Sequence, residues 1–138
     1  MSDIHEQVVE LFRLDGERIL GFCGDEVQAE AEAILTCRGG QYCVVRDWII
    51  VGVEVPADYR ITLTEEGLEP NVLYAGNVVL HSGGTWGQEG FVGTTFSIST
   101  PEDHVFRTRD MTYVLMGQGC RKTASLEAVM AIANRRLA

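Results

Sequence analysis

The segment YCVVRDWIIVGVEV, residues 42–55, is rich in β-branched and aromatic side chains. These residues suit the pleated surface of a sheet, so the segment predicts one long strand. We expect a bend in that strand at Gly52. Pro56 ends it, because proline has no backbone N–H to donate to a neighbouring strand.

Several further segments predict strands around it. Alternating apolar residues predict a strand over 91–99, and residues 104–116 predict another, with an interruption near Asp110. Residues 72–81 favour a strand, with a helix at their start as the alternative, and residues 17–22 favour a short one. Because the loops between consecutive strands are short, we expect antiparallel pairing.

Helical patterns flank the strands and cluster toward the two ends of the chain. Residues 4–13 and 124–136 carry apolar side chains at helical spacing. Asp25 is a predicted N-cap for a helix over 26–37. A short helix is expected over 57–66, where Gly67 closes it.

Together these elements predict a single α+β domain spanning residues 1–138. Its expected core is an antiparallel sheet of four to five strands, with the N- and C-terminal helices packed on one face. The buried stripe of the helix over 26–37 is predicted to consist of Val27, Ala31, Ile34 and Leu35.

Acidic residues are concentrated in the first half of the chain, and the net charge of the whole chain is −9. Residues 1–70 contain 15 acidic residues and five arginines, whereas residues 71–138 contain five acidic and six basic residues. This excess of acidic side chains should repel nucleic acid, because proteins bind nucleic acid with cations that neutralise its phosphates. It should instead attract a basic protein surface. The alternative is that the charge serves solubility alone.

Two features are candidates for binding a protein partner. The first is the acidic helix over 26–37, with the candidate residues Asp25, Glu26, Glu30 and Glu32. The second is Trp86, which lies in the glycine-rich segment 82–90, since aromatic anchors often dominate interfaces. The alternative for Trp86 is that it covers the sheet or its own hairpin.

A group of cationic and hydroxyl side chains follows the strand predicted over 104–116. We expect a tight turn at Gly117 and Gly119, followed directly by the start of the last helix. A helix start offers unpaired N–H groups and partial positive charge, so it is suited to an anion. The candidate anion-binding residues are Gly119, Arg121, Lys122, Thr123 and Ser125.

The spacing of this segment differs from that of a phosphate-binding P-loop, because Arg121 rather than glycine precedes Lys122. A purely structural alternative is also open. In it, Thr123 caps the last helix while Arg121 and Lys122 pair with the acidic half of the chain.

The sequence predicts no metal, no cofactor and no catalytic residue. The four cysteines (Cys23, Cys37, Cys43 and Cys120) contain no Cys-x-x-Cys pair, and we interpret them as buried thiols in a reducing compartment. The apolar runs are far shorter than the ~18 residues that span a bilayer, and the acidic N-terminus is unlike a signal peptide. We therefore expect a cytoplasmic protein, without membrane contact, that is more typical of a binding protein than of an enzyme.

Five segments carry a resemblance to a known family. They are YCVVRDWI (42–49), EVP (54–56), LYAGNVV (73–79), TTFSIS (94–99) and TYVLMGQGCRKTASL (112–126). With them, the chain resembles over residues 42–132 an uncharacterised domain family of pseudomonads and their prophages. The resemblance implies a bacterial or phage accessory protein without an assigned activity. It also implies that Arg121, Lys122 and Ser125 matter for folding or for binding.

Two functional hypotheses follow from the sequence. The first is a small acidic, non-enzymatic binding module that acts through protein–protein interaction, for instance as an inhibitor of a host defence complex. The alternative is a small-anion or nucleotide-binding domain that uses the segment from Gly119 to Ser125 as a strand-to-helix turn. The sequence determines neither the partner nor the oligomeric state.

Overall fold

The computed structural model describes residues 4–13, 15–82, 92–98 and 104–137. Four helices lie in these ranges: α1 (Ile4–Leu11), α2 (Glu26–Cys37), α3 (Ala57–Glu65) and α4 (Leu126–Leu137). Seven strands lie there as well: β1 (Glu17–Leu20), β2 (Tyr42–Glu54), β3 (Asn71–His81), β4 (Val92–Gly93), β5 (Val105–Arg107), β6 (Thr112–Leu115) and β7 (Gln118–Ser125). Within these residues, no helix has both the length and the apolar character needed to cross a membrane.

β2 is the long strand that the sequence predicted, and both of its edges are paired. Along one edge β3 runs antiparallel to it, with Trp48 opposite Ala75. Along the other edge β6 and then β7 run parallel to it, with Ile49 opposite Cys120 in β7. β2 is therefore an interior strand, which explains why most of its residues are buried.

The α+β class is confirmed, but the sheet is larger than predicted and it is mixed. Its strand order is β1-β7-β2-β3-β4, and the β5–β6 pair lies beside the first part of β2. The prediction of four to five antiparallel strands was wrong because it paired only strands that follow one another in sequence. The chain leaves β2, forms the elements from α3 to β5, and returns along the other edge of β2 in the same direction. Such a crossover produces parallel pairing.

The irregularity in β2 lies near Asp47 rather than at Gly52. Asp47 has a left-handed backbone conformation with a φ of 54°, and the register with β3 shifts between Val44 and Val45. Gly52 stays paired on both edges. Because this irregularity interrupts the alternation of side chains, Val45 and Trp48 belong to the same face of the sheet.

One face of the sheet packs around Trp48, whose side chain is fully buried. Its indole Nε1–H donates to the carbonyl oxygen of Met116 at 3.0 Å, which satisfies the only polar atom of the ring. Gly119 in β7 lies directly against the ring. The other buried members of this cluster include Cys43, Val45, Ile50, Leu73, Phe106 and Leu115.

Helices contact the opposite face of β2. α1 and α4 contribute Leu11 and Ile132 to a cluster that contains Val51. α2 contributes Ala29 to a second cluster, which contains Val44 near the start of β2. The two terminal helices and α2 therefore lie along successive parts of the central strand.

Most predicted elements are confirmed. The helices over 4–13, 26–37 and 57–66 correspond to α1, α2 and α3, and the strand over 72–81 corresponds to β3. The strand predicted over 104–116 divides into β5 and β6, with the interruption near Asp110 that the sequence indicated.

Two boundaries differ from the prediction. α4 begins at Leu126 rather than at residue 124, because residues 118–125 continue in β7. Of the strand predicted over 91–99, only Val92–Gly93 is strand within the described residues 92–98.

The contact between Gly119 and Trp48 can be tested by adding one methyl group. A Cβ at position 119 would overlap the indole ring, whereas a Cβ at Gly52 would meet nothing closer than 3.8 Å. We expect Gly119→Ala to lower the free energy of unfolding by about 1–3 kcal/mol, as overpacking does. Gly52→Ala is the matched control in β2, and it should leave the free energy of unfolding unchanged or raise it slightly. Urea unfolding of the two variants measures the difference, and equal midpoints would contradict this packing.

Candidate interaction surface

α2 turns its large apolar side chains toward solvent. Val27, Ile34 and Leu35 are 75%, 54% and 76% exposed, and Ala31 between them is also exposed. These four residues were predicted to form the buried stripe of the helix, and that prediction was wrong. We refer to the exposed set Val27, Ala31, Ile34 and Leu35 as the α2 outer face.

Small side chains explain part of this orientation. Ala29 and Ala33 lie one turn apart on the sheet side of α2, and both are fully buried. They belong to the same cluster as Val44 and Val114. Because the distance between packed elements depends on the side chains at their contact, two alanines let the helix lie close to the sheet.

Two acidic side chains hold α2 in this rotation. The Tyr42 hydroxyl donates to Glu30 Oε2 at 3.1 Å, and His104 Nε2 is hydrogen-bonded to Glu32 Oε2. Burial of the Tyr42 ring and the nearby Glu30 carboxylate raise the pKa of Tyr42. A rotation that buried the α2 outer face would break both contacts and expose the alanines.

The other two acidic candidates lie at the start of α2. Asp25 is the N-cap that the sequence predicted, and it forms a capping box with Gln28: the Gln28 N–H donates to Asp25 Oδ1 at 2.8 Å. Glu26 forms an exposed ion pair with Arg46 at 3.9 Å, a type that contributes little to stability. All four acidic candidates therefore have contacts within their own chain. Trp86, the remaining candidate, lies outside the described residues.

A groove runs beside the α2 outer face. Its volume is about 510 Å³, and it lies between α2 and residues 21–23. Leu35 and Ala31 form one wall, and Phe22 and His104 are on the other side, with their rings in tilted contact at 5.4 Å between centroids. Groove and outer face together make a continuous, mostly apolar surface.

Sequence reasoning missed Phe22 and His104 as parts of this surface. The apolar spacing of α2 was visible in the sequence, but it usually marks the side of a helix that faces the core. The contact between Glu32 and His104 joins residues far apart in the chain, and only the fold brings them together.

The segment from Gly119 to Ser125 is a strand and not the predicted turn at a helix start. It belongs to β7, which pairs with β1 on one edge and with β2 on the other. Ser125, rather than Thr123, caps α4: the Ala128 N–H donates to Ser125 Oγ at 3.1 Å. The prediction failed because pairing with β1 and β2 keeps residues 118–125 extended, so the chain continues as a strand through Gly119 up to Ser125.

Lys122 is bound to the end of α1. Its Nζ donates to the carbonyl oxygens of Glu10 at 2.5 Å and Arg13 at 3.1 Å, and to Asp15 Oδ1 at 2.7 Å. An ammonium group has three protons to donate, so these contacts use all of them. The Lys122 hydrogen bond lowers the pKa of the Asp15 carboxyl group. The contact supplies a cation to a helix end that lacks one of its own in the last turn.

A cleft of about 800 Å³ lies between α1 and the end of β7. Lys122, Thr123 and Ser125, three of the candidate anion-binding residues, are among its lining residues. Three carboxylates line the same cleft: Glu6, Glu10 and Glu54. Two cations also line the cleft, but Arg13 is paired with Glu10 at 3.6 Å and Lys122 already has acceptors in its own chain. The other carboxylates, Glu6 and Glu54, give the cleft a negative sign and oppose an anion. The other two candidates differ in exposure: Arg121 is exposed, and Gly119 is half-buried beside Trp48.

The cysteines differ in exposure more than predicted. Cys43 and Cys120 are buried, Cys37 is half-buried and Cys23 is exposed. Burial raises the pKa of the Cys43 thiol to about 12, so this thiol is protonated at neutral pH. Among the described residues, no group of three or more histidine, cysteine, aspartate and glutamate side chains is placed to hold a metal ion.

The role of Lys122 predicts a loss of stability when its ammonium group is removed. Lys122→Met should lower the free energy of unfolding by roughly 1.5–3 kcal/mol. The variant loses the hydrogen bonds that the charged ammonium group donates to Asp15 and to the carbonyl oxygens at the end of α1. Arg121→Met, on the adjacent and exposed position of β7, is the control and should change it little. Chemical denaturation followed by circular dichroism measures both. An equal loss in the two variants would contradict the capping role.

Residues 21–131 match a family described as "Domain of unknown function (DUF6957)". The match covers most of the chain. It extends further toward the N-terminus than the resemblance over residues 42–132 and therefore includes α2. The expectation of an uncharacterised domain family is thereby confirmed. No curated protein and no solved structure matches the chain. The chain therefore belongs to the DUF6957 family of domains of unknown function.

Proposed function

We propose that this protein is a non-enzymatic, protein-binding module that acts through the α2 outer face. One observation carries the proposal: a capped helix exposes three large apolar side chains while its acidic residues contact their own chain. Exposed apolar patches of this kind are typical of interaction sites on soluble proteins. A helix face with anchors at this spacing is also a common mode of recognition.

Burial of this face would supply the binding free energy. Removing one leucine or isoleucine side chain from water contributes about 1.5–3 kcal/mol. Leu35 and Ile34 are the strongest anchors, since both are large and more than half exposed. The neighbouring groove offers a seat for an apolar side chain of the partner.

The charge of the chain favours a partner with basic residues around an apolar centre. A net charge of −9 would speed the approach of such a surface. In this proposal the acidic residues of α2 steer the partner rather than anchor it. Glu30 and Glu32 are already hydrogen-bonded to Tyr42 and His104, so replacing them would disturb the fold as well as the surface.

The biological setting follows from the sequence resemblance. We propose a bacterial or phage accessory protein that works in the cytoplasm. Covering the surface of a host protein, as an inhibitor of a defence complex does, is a role that needs no catalytic residue. The α2 outer face is suited to this role because it is small, apolar and carried by a rigid element.

A matched set of variants tests the proposal. Leu35→Asp should abolish partner binding, because a carboxylate cannot be buried in an apolar contact without a partner. Ile61→Asp on α3 is the control, since Ile61 is 60% exposed and belongs to another surface. Quantitative mass spectrometry after affinity capture from a pseudomonad lysate measures the retained proteins. If the proposal is correct, some lysate proteins are captured by wild type and by Ile61→Asp but not by Leu35→Asp.

Identical retention by all three forms would contradict a role for α2. Circular dichroism of Leu35→Asp serves as the folding control. Because Leu35 is 76% exposed, its replacement should leave the fold intact.

A small-anion or nucleotide ligand is the second candidate, because Thr123 and Ser125 line the 800 Å³ cleft. The carboxylates of that cleft argue against it, so we expect phosphate and nucleotides to leave the melting temperature unchanged. A ligand at about 100 times its dissociation constant would add roughly 2.7 kcal/mol to the free energy of unfolding. A clear rise with any member of such a panel would favour the anion site instead.

A further inference from the structure

The α2 outer face lies directly beside a groove, and Ala31 and Leu35 belong to both. Val27, Ile34 and Leu35 project from the helix as a ridge, and the groove of about 510 Å³ lies alongside it. Phe22 and Ala31 supply apolar surface to that groove. A surface that carries both a ridge and a receiving groove can pair with itself about a two-fold axis.

We infer that a second copy of this chain occupies the α2 outer face in the free protein. The inference rests on the proposed function, because it concerns the same α2 outer face. A second copy would cover that face when no target protein is bound. In the arrangement, two α2 helices lie antiparallel with the two-fold axis at Ala31. A target protein would then compete with the second copy for the same side chains.

The spacing along α2 suits this arrangement. Val27, Ala31 and Leu35 are one turn apart, so they form a single row on the exposed side of the helix. With Ala31 on the axis, Val27 of one copy lies opposite Leu35 of the other. The small side chain at the centre lets the two helices approach closely, and each Leu35 enters the groove of the other copy.

The charges at the two ends of α2 select the antiparallel orientation. Asp25 and Glu26 are exposed at its start, and Arg38 is exposed at its C-cap. In an antiparallel pair each Arg38 lies next to the acidic first turn of the other copy. The two helix dipoles then point in opposite directions, so the positive end of each lies beside the negative end of the other. In a parallel pair the like charges would meet. Each copy carries a net charge of −9, so the two chains repel one another at long range, and the apolar contact together with the paired end charges must offset that repulsion.

The mass of the full-length protein in solution tests the inference directly. Sedimentation equilibrium from micromolar to millimolar concentration should show wild type reaching twice the 15.2 kDa of one chain. Leu35→Asp should weaken the dimer about tenfold or more, because the ridge can no longer be buried. Ile61→Asp, the control on α3, should dimerise like wild type.

Disulfide trapping tests the geometry in a background of Cys23→Ser and Cys37→Ser. Ala31→Cys on the axis should form a covalent dimer under mild oxidation. Val27→Cys should not, because its two copies would be offset by about 12 Å along the helices, beyond the ~7 Å that a disulfide tolerates between Cα atoms. Trapping through Val27→Cys and not through Ala31→Cys would overturn the antiparallel arrangement.

The two proposals fail in different ways. If wild type stays monomeric at every concentration, or if Leu35→Asp dimerises as well as wild type, the inference of a second copy is wrong. The proposed function survives either result if target capture still depends on Leu35. If the α2 dimer forms and target capture is indifferent to Leu35, only the proposed target-binding function is removed.

Discussion

The pairing of β2 along both edges is the constraint on which the rest of the structure depends. Trp48 lies at its centre, fully buried, and its indole N–H is satisfied by the Met116 carbonyl just before β7. The close approach of Gly119 to the ring joins β7 to the same core. Because an interior strand exposes neither edge to solvent, its backbone groups are paired, and both of its faces are available for burial. Every helix that matters for the proposed function is positioned by contact with this strand or its neighbours.

The orientation of α2 shows how polar contacts decide between two possible buried faces. Its apolar stripe is the larger hydrophobic surface, and burying it would release more free energy than burying Ala29 and Ala33. Tyr42 at the start of β2 and His104 just before β5 instead hydrogen-bond to acidic residues of the helix. Turning the apolar stripe toward the sheet would break both hydrogen bonds, each of which is made by a carboxylate. The exposed stripe is then left for another surface to cover, which is why we assign the interaction to it.

Charge is used inside this molecule as well as on its surface. We expected a cationic helix entrance near the end of the chain, open to outside molecules. Lys122 lies instead in β7, and it joins that strand to the end of α1 and to Asp15. A cation from the second half of the chain thus neutralises part of the acidic first half. This leaves the apolar face of α2, rather than a site of positive charge, as the feature best suited to binding.

The sequence alone determined most of the elements and their boundaries, because strand and helix periodicity, the Asp25 cap and Pro56 act over a few residues. It indicated the length of β2, the helix over 26–37 and the division near Asp110. Tertiary structure alone decided three things: the parallel pairing of β7 with β2, the rotation of α2 and the partner of Lys122. Each depends on groups far apart in sequence, such as Glu32 with His104 or Lys122 with Glu10. Local patterns determine which side of a helix is apolar, whereas the competition among distant polar partners determines which side is buried.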